Sequence, residues 1–167
     1  MMKYDVVIGI DPDVDKNGVG FLEVRTRKLE AAALTFPDLL DYLADVRKKA
    51  TETGQTAVVV VEASWKDTTN WHTTRWESRR VSTSKGYDVG RNHETGHKIV
   101  EMCRHYGLDV IEHHPLKKGW RGRDGKITME ELSYFTGITG RTNQEMRDAA
   151  LLAWCFADLP IRIKVGK

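Results

Sequence analysis

Cysteine is scarce in this chain: its 167 residues hold two, Cys103 and Cys155. So few thiols, so far apart, exclude a disulfide-stapled secreted scaffold. Both sit in apolar helical patterns and read as reduced core residues. Long hydrophobic runs are missing too, and none approaches the roughly 20 residues that a membrane-spanning helix needs. The first residues enter a strand almost at once, without the charged and apolar regions of a secretory leader. A cytoplasmic protein with no membrane partner is expected. Net charge is only +2, so partners must be sought in how charge is distributed. Repeats, linkers and low-complexity segments are absent. With 40% hydrophobic and 30% charged residues, one soluble globular domain over residues 1–167 is expected, large enough for one core.

What the chain does have is two apolar strands that end in acids. Val6-Val7-Ile8-Gly9-Ile10 runs directly into Asp11-Pro12-Asp13. A continuous apolar run reads as a buried strand, and Pro12, which cannot donate to a ladder, stops it at Asp11. Ala57-Val58-Val59-Val60-Val61-Glu62 repeats the pattern. Being apolar on both faces, it reads as a central, parallel strand. Each acid alone is explained as a turn starter or a solvated strand end. Together they matter more, because ligands bind at the C-terminal edge of α/β sheets.

Between and after these strands the order of elements is legible. Val19 to Thr26 and Leu29 to Thr35 read as strands that complete an antiparallel meander with the first. Phe36 to Thr53 has helical period, with Pro37 in its first turn and Gly54 as its stop. Residues 63–87 show no regular period. A helix is predicted from about Gly90 to Tyr106, capped by Gly107, and then a strand from Leu108 to Glu112. Thr128-Met129-Glu130-Glu131 is a capping box opening a short helix. Thr142-Asn143-Gln144-Glu145 reads as another, opening a final helix that runs to Asp158.

On that last helix Glu145 and Asp148 are three residues apart and share a face. Capping and the helix dipole explain each singly, but Ala149-Ala150-Leu151-Leu152-Ala153 follows and places Asp148 at the edge of a close-packed interface. Four converging carboxylates would repel one another toward protonation. Hard divalent cations relieve that repulsion, and a pair of them supports hydrolysis of a phosphodiester.

Gly-Ile-Asp-Pro at the end of the first strand, a fourth strand ending in Glu62, and Glu145-x-x-Asp148-Ala-Ala on the last helix resemble the RNase H-like nucleases. Within that fold they are most similar to the RuvC-type Holliday-junction resolvases. Gly90-Arg91-Asn92 after the Glu62 strand adds to the likeness. Asp13 in place of the usual glycine, Glu145 in place of Asp or His, and the richness in tryptophan depart from it. The resemblance implies an α/β, RNase H-like fold with a five-stranded mixed sheet, three antiparallel strands then two parallel ones, flanked by helices. It implies Asp11, Glu62, Glu145 and Asp148 as ligands of Mg²⁺, with Mn²⁺ as a substitute. Lys118 and Lys126 match the family's two basic residues near the scissile phosphate. The implied reaction nicks branched DNA, above all a four-way junction, and leaves a 5′-phosphate. Symmetric nicking suits a homodimer. A less specific nuclease of the same fold, acting on flaps or RNA–DNA hybrids, is the alternative.

Charge distribution supports a nucleic-acid partner. Residues 65–98 hold seven Lys or Arg against four Asp or Glu, and residues 117–126 hold five against one. Arg75, Arg79, Arg80, Lys85, Arg91, Lys117, Arg121 and Arg123 are candidate phosphate contacts. Trp65, Trp71 and Trp76 are candidates to stack on bases or wedge into a junction, or else to pin their segment to the core.

Three other readings compete. His93-Glu94-Thr95-Gly96-His97 spells the zinc-protease pattern H-E-x-x-H, but Gly96 weakens the helix there and no third ligand follows on a helix. Asp13, Asp15, Asn17 and Gly18 begin like a calcium loop, yet Val24 stands where the closing glutamate belongs. A noncatalytic nucleic-acid-binding module would need one of the four acids to lie apart.

Overall fold

The computed structural model describes residues 2–67 and 79–165. Five strands form one mixed sheet in the order β3-β2-β1-β4-β5. Its members are β1 (Val6–Asp11), β2 (Asn17–Glu23), β3 (Lys28–Leu34), β4 (Ala57–Glu62) and β5 (Asp109–His113). β1 pairs antiparallel with β2 and β2 with β3, whereas β1–β4 and β4–β5 are parallel. This is the five-stranded mixed sheet, three antiparallel strands then two parallel ones, expected from the sequence. The helices are α1 (Phe36–Thr53), α2 (Arg79–His105), α3 (Met129–Thr136) and α4 (Gln144–Phe156).

Period-two alternation in the two central strands divides the core. Val7, Val58 and Val60 face a cluster built with α3 and α4. Ile8, Ile10, Val59 and Val61 face one built with α1 and α2. Both faces are covered, which is why β1 and β4 are apolar throughout. Local signals set most boundaries. Thr35 caps α1 by accepting from Asp38 N, and Gly54 ends it at φ +71°. Thr128 and Glu131 form the expected reciprocal box at α3.

Helix α4 lies unusually close to the sheet. A Cβ on Gly9 would stand 2.1 Å from the Ala149 carbonyl oxygen, and one on Gly18 2.0 Å from that of Glu145. On Gly20 it would meet Ala150 Cα at 2.5 Å. Three glycines on β1 and β2 thus form a bed for the small Ala149-Ala150 face, where any side chain would collide with helix backbone.

Two expectations need correction. Helix α2 begins at Arg79, not near Gly90, so Gly90-Arg91-Asn92 lies inside it rather than opening it. Its early turns carry Ser, Thr, Lys and Gly without an apolar stripe. Among its described side chains, only Gly96, Ile99, Val100 and Cys103 are buried, near its end. The cap of α4 is Asn143, whose side chain accepts from Met146 N, rather than Thr142. Glu145 is therefore not the reciprocal capping partner. Smaller shifts of one to three residues occur at the ends of β2, β3, β5 and α4.

Cys103 is buried and Cys155 half-buried, and neither is paired. Burial pushes the Cys103 thiol up to about 12, which keeps it inert. Among the described residues no helix is long and apolar enough to cross a membrane.

Candidate active site

The alternation that buries the strands also aims their terminal acids. Asp11 continues the Val7–Gly9 side of β1, and Glu62 the Val58–Val60 side of β4. Both side chains therefore project toward the face that α4 covers. Ile10 is in register with Val61, so the two acids end adjacent strands one step further on. Asp148 comes from the second turn of α4, held down by the glycine bed. Asp11, Glu62 and Asp148 line one small cleft of about 110 Å³ with Lys117, Lys118 and Lys126. A cavity of about 380 Å³ between α1 and the outer strands is more apolar, but none of the three acids lines it.

The electrostatics follow from this proximity. The Asp11 carboxyl lies well above the usual carboxylate range, chiefly because it is buried and then because Glu62 and Asp148 repel its charge. Glu145 adds a smaller push in the same direction. Glu62 is raised too, by burial first and then by Asp148, with Lys126 and Lys118 opposing. Burial lowers Lys126, but Asp148, Asp11 and Glu62 more than reverse this and hold its ammonium above the ordinary lysine value. Lys126 Nζ stands 3.3 Å from Asp148 Oδ2.

The loop bearing the lysines is braced. Trp120 N donates to Gly125 O and Gly122 N to Lys126 O, both at 2.9 Å. Asp124 (φ 56°) and Gly125 (φ 74°) make the left-handed turn at its tip. Trp120 stacks on Phe135 with centroids 5.8 Å apart, anchoring the loop in the core. Arg121 N donates to the Glu131 carboxylate at 3.1 Å, and its guanidinium donates to Lys164 O. Lys118 is exposed, and Arg123 beside the tip is 97% exposed.

The aromatic and basic candidates after Glu62 separate into three groups. Trp65 lies in the one-turn helix Ser64–Lys66, over Gly96 and with its ring 4.3 Å from that of His97. It joins this segment to α2. Trp71, Arg75 and Trp76 lie outside the described residues. Arg79 and Arg80 begin α2, Lys85 follows half-buried, and exposed Arg91 sits over the Tyr87 ring at 5.5 Å.

Both competing metal motifs have other occupations. His93 and His97 turn toward Trp65, Gly96 supplies the space Trp65 needs, and Glu94 is exposed. In the acidic loop, Asp13 Oδ2 accepts from the backbone N–H groups of Asp15 and Lys16. Asn17, fully buried at the start of β2, accepts from Asp13 N and donates to Leu34 O. These are turn-forming bonds.

Among the described residues, no three His, Cys, Asp or Glu side chains are disposed to share one metal ion. The Asp148 carboxylate is instead engaged by Lys126 and by Gln144, whose Nε2 donates to Oδ1 at 2.7 Å. The donor chemistry still fits a hard divalent cation. These are oxygen ligands only, and two of them are acids raised first by burial and then by neighbouring carboxylates, a repulsion that a cation would relieve. Gln144 and its neighbour Arg147 are site residues that the sequence did not single out, and Asn92, part of the Gly90-Arg91-Asn92 motif, accepts at Oδ1 from Val14 N at 3.0 Å and ties the loop after β1 to α2. Helical spacing alone could have paired Gln144 with Asp148, four residues on.

No protein-family model and no curated protein matches the chain. Among solved structures, it is similar to Thermus thermophilus RuvC in complex with Holliday junction substrate. That alignment covers 89% of both chains at 14% identity and a TM-score of 0.43. A second Thermus thermophilus RuvC structure aligns over 89% of this chain and 90% of its own, at 18% identity and a TM-score of 0.41.

Proposed function

We propose that this protein is a divalent-metal-dependent endonuclease that nicks branched DNA, with the four-way junction as its substrate. One observation carries the reading: Asp11, Glu62 and Asp148, brought from two strands and a helix, share a cleft with Lys118 and Lys126. Buried carboxylates facing cations suit a reaction that gathers negative charge on phosphate oxygens. The junction as substrate rests on the motif resemblance, on the basic loop 117–126 that lines the cleft and on the basic composition of residues 65–98.

Asp11, Glu62 and Asp148 would hold Mg²⁺ or Mn²⁺, with Glu145 on the Asp11 side. Bound there, the ion supplies Lewis acidity to the scissile phosphate and its attacking water. The chain's own groups do the rest. Lys118 and Lys126 would neutralise phosphate oxygens at the mouth of the cleft, Lys126 from its place beside Asp148. Arg121, Arg123 and Lys117 on the braced loop, with Arg79, Arg80, Lys85 and Arg91 along α2, hold the DNA backbone and set register without reading bases. Trp71 and Trp76 are the candidate wedges. Symmetric nicking of a junction requires two such sites, which a two-fold homodimer supplies.

The test is cleavage of labelled four-way junction, linear duplex, flap and RNA–DNA hybrid in Mg²⁺, Mn²⁺ or Zn²⁺. Preferential junction nicking in Mg²⁺ is expected, with 5′-phosphate ends. Preference for the hybrid or the flap would replace the substrate, and no cleavage of any of them would end the nuclease reading.

A further inference from the structure

The Asp148 carboxylate is fixed on both oxygens, and the second fixing group leads to a closed ring of contacts. Gln144 Nε2 donates to Asp148 Oδ1 at 2.7 Å and to Ile127 O at 3.1 Å. Arg147 Nε donates to the same Ile127 carbonyl at 3.1 Å, and Arg147 Nη2 donates to Gln144 Oε1 at 2.9 Å. Arg147 Nη1 reaches Thr142 O at 3.0 Å and Thr142 Oγ1 at 3.2 Å. Ile127 follows Lys126 directly, and Lys126 Nζ returns to Asp148 Oδ2.

Only one orientation of the Gln144 amide satisfies this ring. A guanidinium can only donate, whereas a carbonyl and an ionised carboxylate can only accept. A flipped amide would set Oε1 against the Asp148 oxygen and aim its NH₂ at Arg147. Residues 144, 147 and 148 share one helix face, so α4 grips the end of the lysine loop with two side chains while it presents the acid.

We propose that Gln144 and Arg147 are positioning residues that lock Asp148 to the Lys126–Ile127 backbone, so that one acid and one base of the site move as a unit. This rests on the nuclease reading above. Neither residue touches the substrate; each acts through Asp148 and Lys126. Removing the Gln144 donors frees Asp148 to turn and leaves the Ile127 carbonyl to Arg147 alone. Loss of such supporting bonds lowers metal affinity or turnover by about 10- to 100-fold.

The experiment uses Gln144→Met, which keeps length, volume and helix preference but removes every hydrogen bond, beside Gln144→Glu, which puts an acceptor against Asp148. Junction kcat and KM, Mn²⁺ affinity by calorimetry, the urea midpoint and backbone hydrogen exchange are measured for both. The expected result is a kcat about 10- to 100-fold lower, KM within about twofold, and weaker Mn²⁺ binding. Exchange across residues 118–127 quickens, and Gln144→Glu is at least as impaired. A Met variant that loses only stability, with wild-type kcat and Mn²⁺ affinity, overturns the proposal. If the wild type neither cuts DNA nor binds Mn²⁺, the nuclease reading falls. Hydrogen exchange then decides the lock itself: quicker exchange at 118–127 supports it and unchanged exchange overturns it.

Discussion

Lys126 Nζ sits 3.3 Å from Asp148 Oδ2, so the main counter-charge of the acidic cluster is a side chain from a different element. Asp11 and Glu62 feel the same ammonium, which opposes part of their upward shift. Each acid is thereby tied to the cations around it, and on the proposed function changing one acid should disturb chemistry without weakening DNA binding.

Glu62→Gln removes a charge but little volume. Losing several kcal/mol of transition-state stabilisation corresponds to a rate about 10³-fold lower. Junction affinity should hold or rise, because less negative charge faces the phosphates. Single-turnover nicking and gel-shift binding check the two halves separately. Weakened binding with normal nicking would contradict the assignment.

The raised acids make stability depend on pH in a stated direction. A carboxyl whose folded value exceeds its unfolded one stabilises the fold fully below the ordinary range, about 4. That contribution is lost as pH rises through the folded value. In EDTA, Glu62→Gln should therefore gain melting temperature relative to wild type as pH is raised from 4 to 8. Mg²⁺ should raise the wild-type melting temperature more at pH 8 than at pH 5. A difference that stays flat with pH would refute the coupling.

Gly9→Ala forces a methyl group to within 2.1 Å of the Ala149 carbonyl oxygen. Overpacking of this severity costs about 3 kcal/mol or more. Gly54→Ala meets open space and bears only the left-handed φ of +71°, which costs about 1 kcal/mol. Urea denaturation should rank them so. Nicking per folded molecule should fall in the first, where α4 is lifted, and stay normal in the second.

Glu94→Gln should leave junction nicking intact, since Glu94 is exposed and its flanking histidines face Trp65. Casein should survive Zn²⁺ with either protein. Zinc-dependent proteolysis lost in Glu94→Gln would reinstate the H-E-x-x-H motif.

What could be read from sequence was what local chemistry fixes. Strand β4 and helix α1 have the bounds their residues announce, because a β-branched run and a proline-to-glycine bracket are local signals. The convergence of Asp11, Glu62 and Asp148 was legible because strand ends and helix spacing imply direction. The first turns of α2 were not, since polar residues all round a helix leave no period to find. The cap of α4 is Asn143, one residue past the expected Thr142, as both are good caps and Arg147 occupies the threonine. Gln144 and Arg147 were invisible as a pair because their shared partner, the Ile127 carbonyl, is backbone that only tertiary folding brings to α4.

The glycine bed has a consequence for synthesis. The strands delivering Asp11 and Glu62 leave the ribosome well before the helix that covers them and supplies Asp148. Until α4 is made, Gly9, Gly18 and Gly20 lack the helix that packs on them, and Asp11 and Glu62 lack Asp148. The cleft lined by Asp11, Glu62 and Asp148 is therefore complete only after the same late docking event that seals the core.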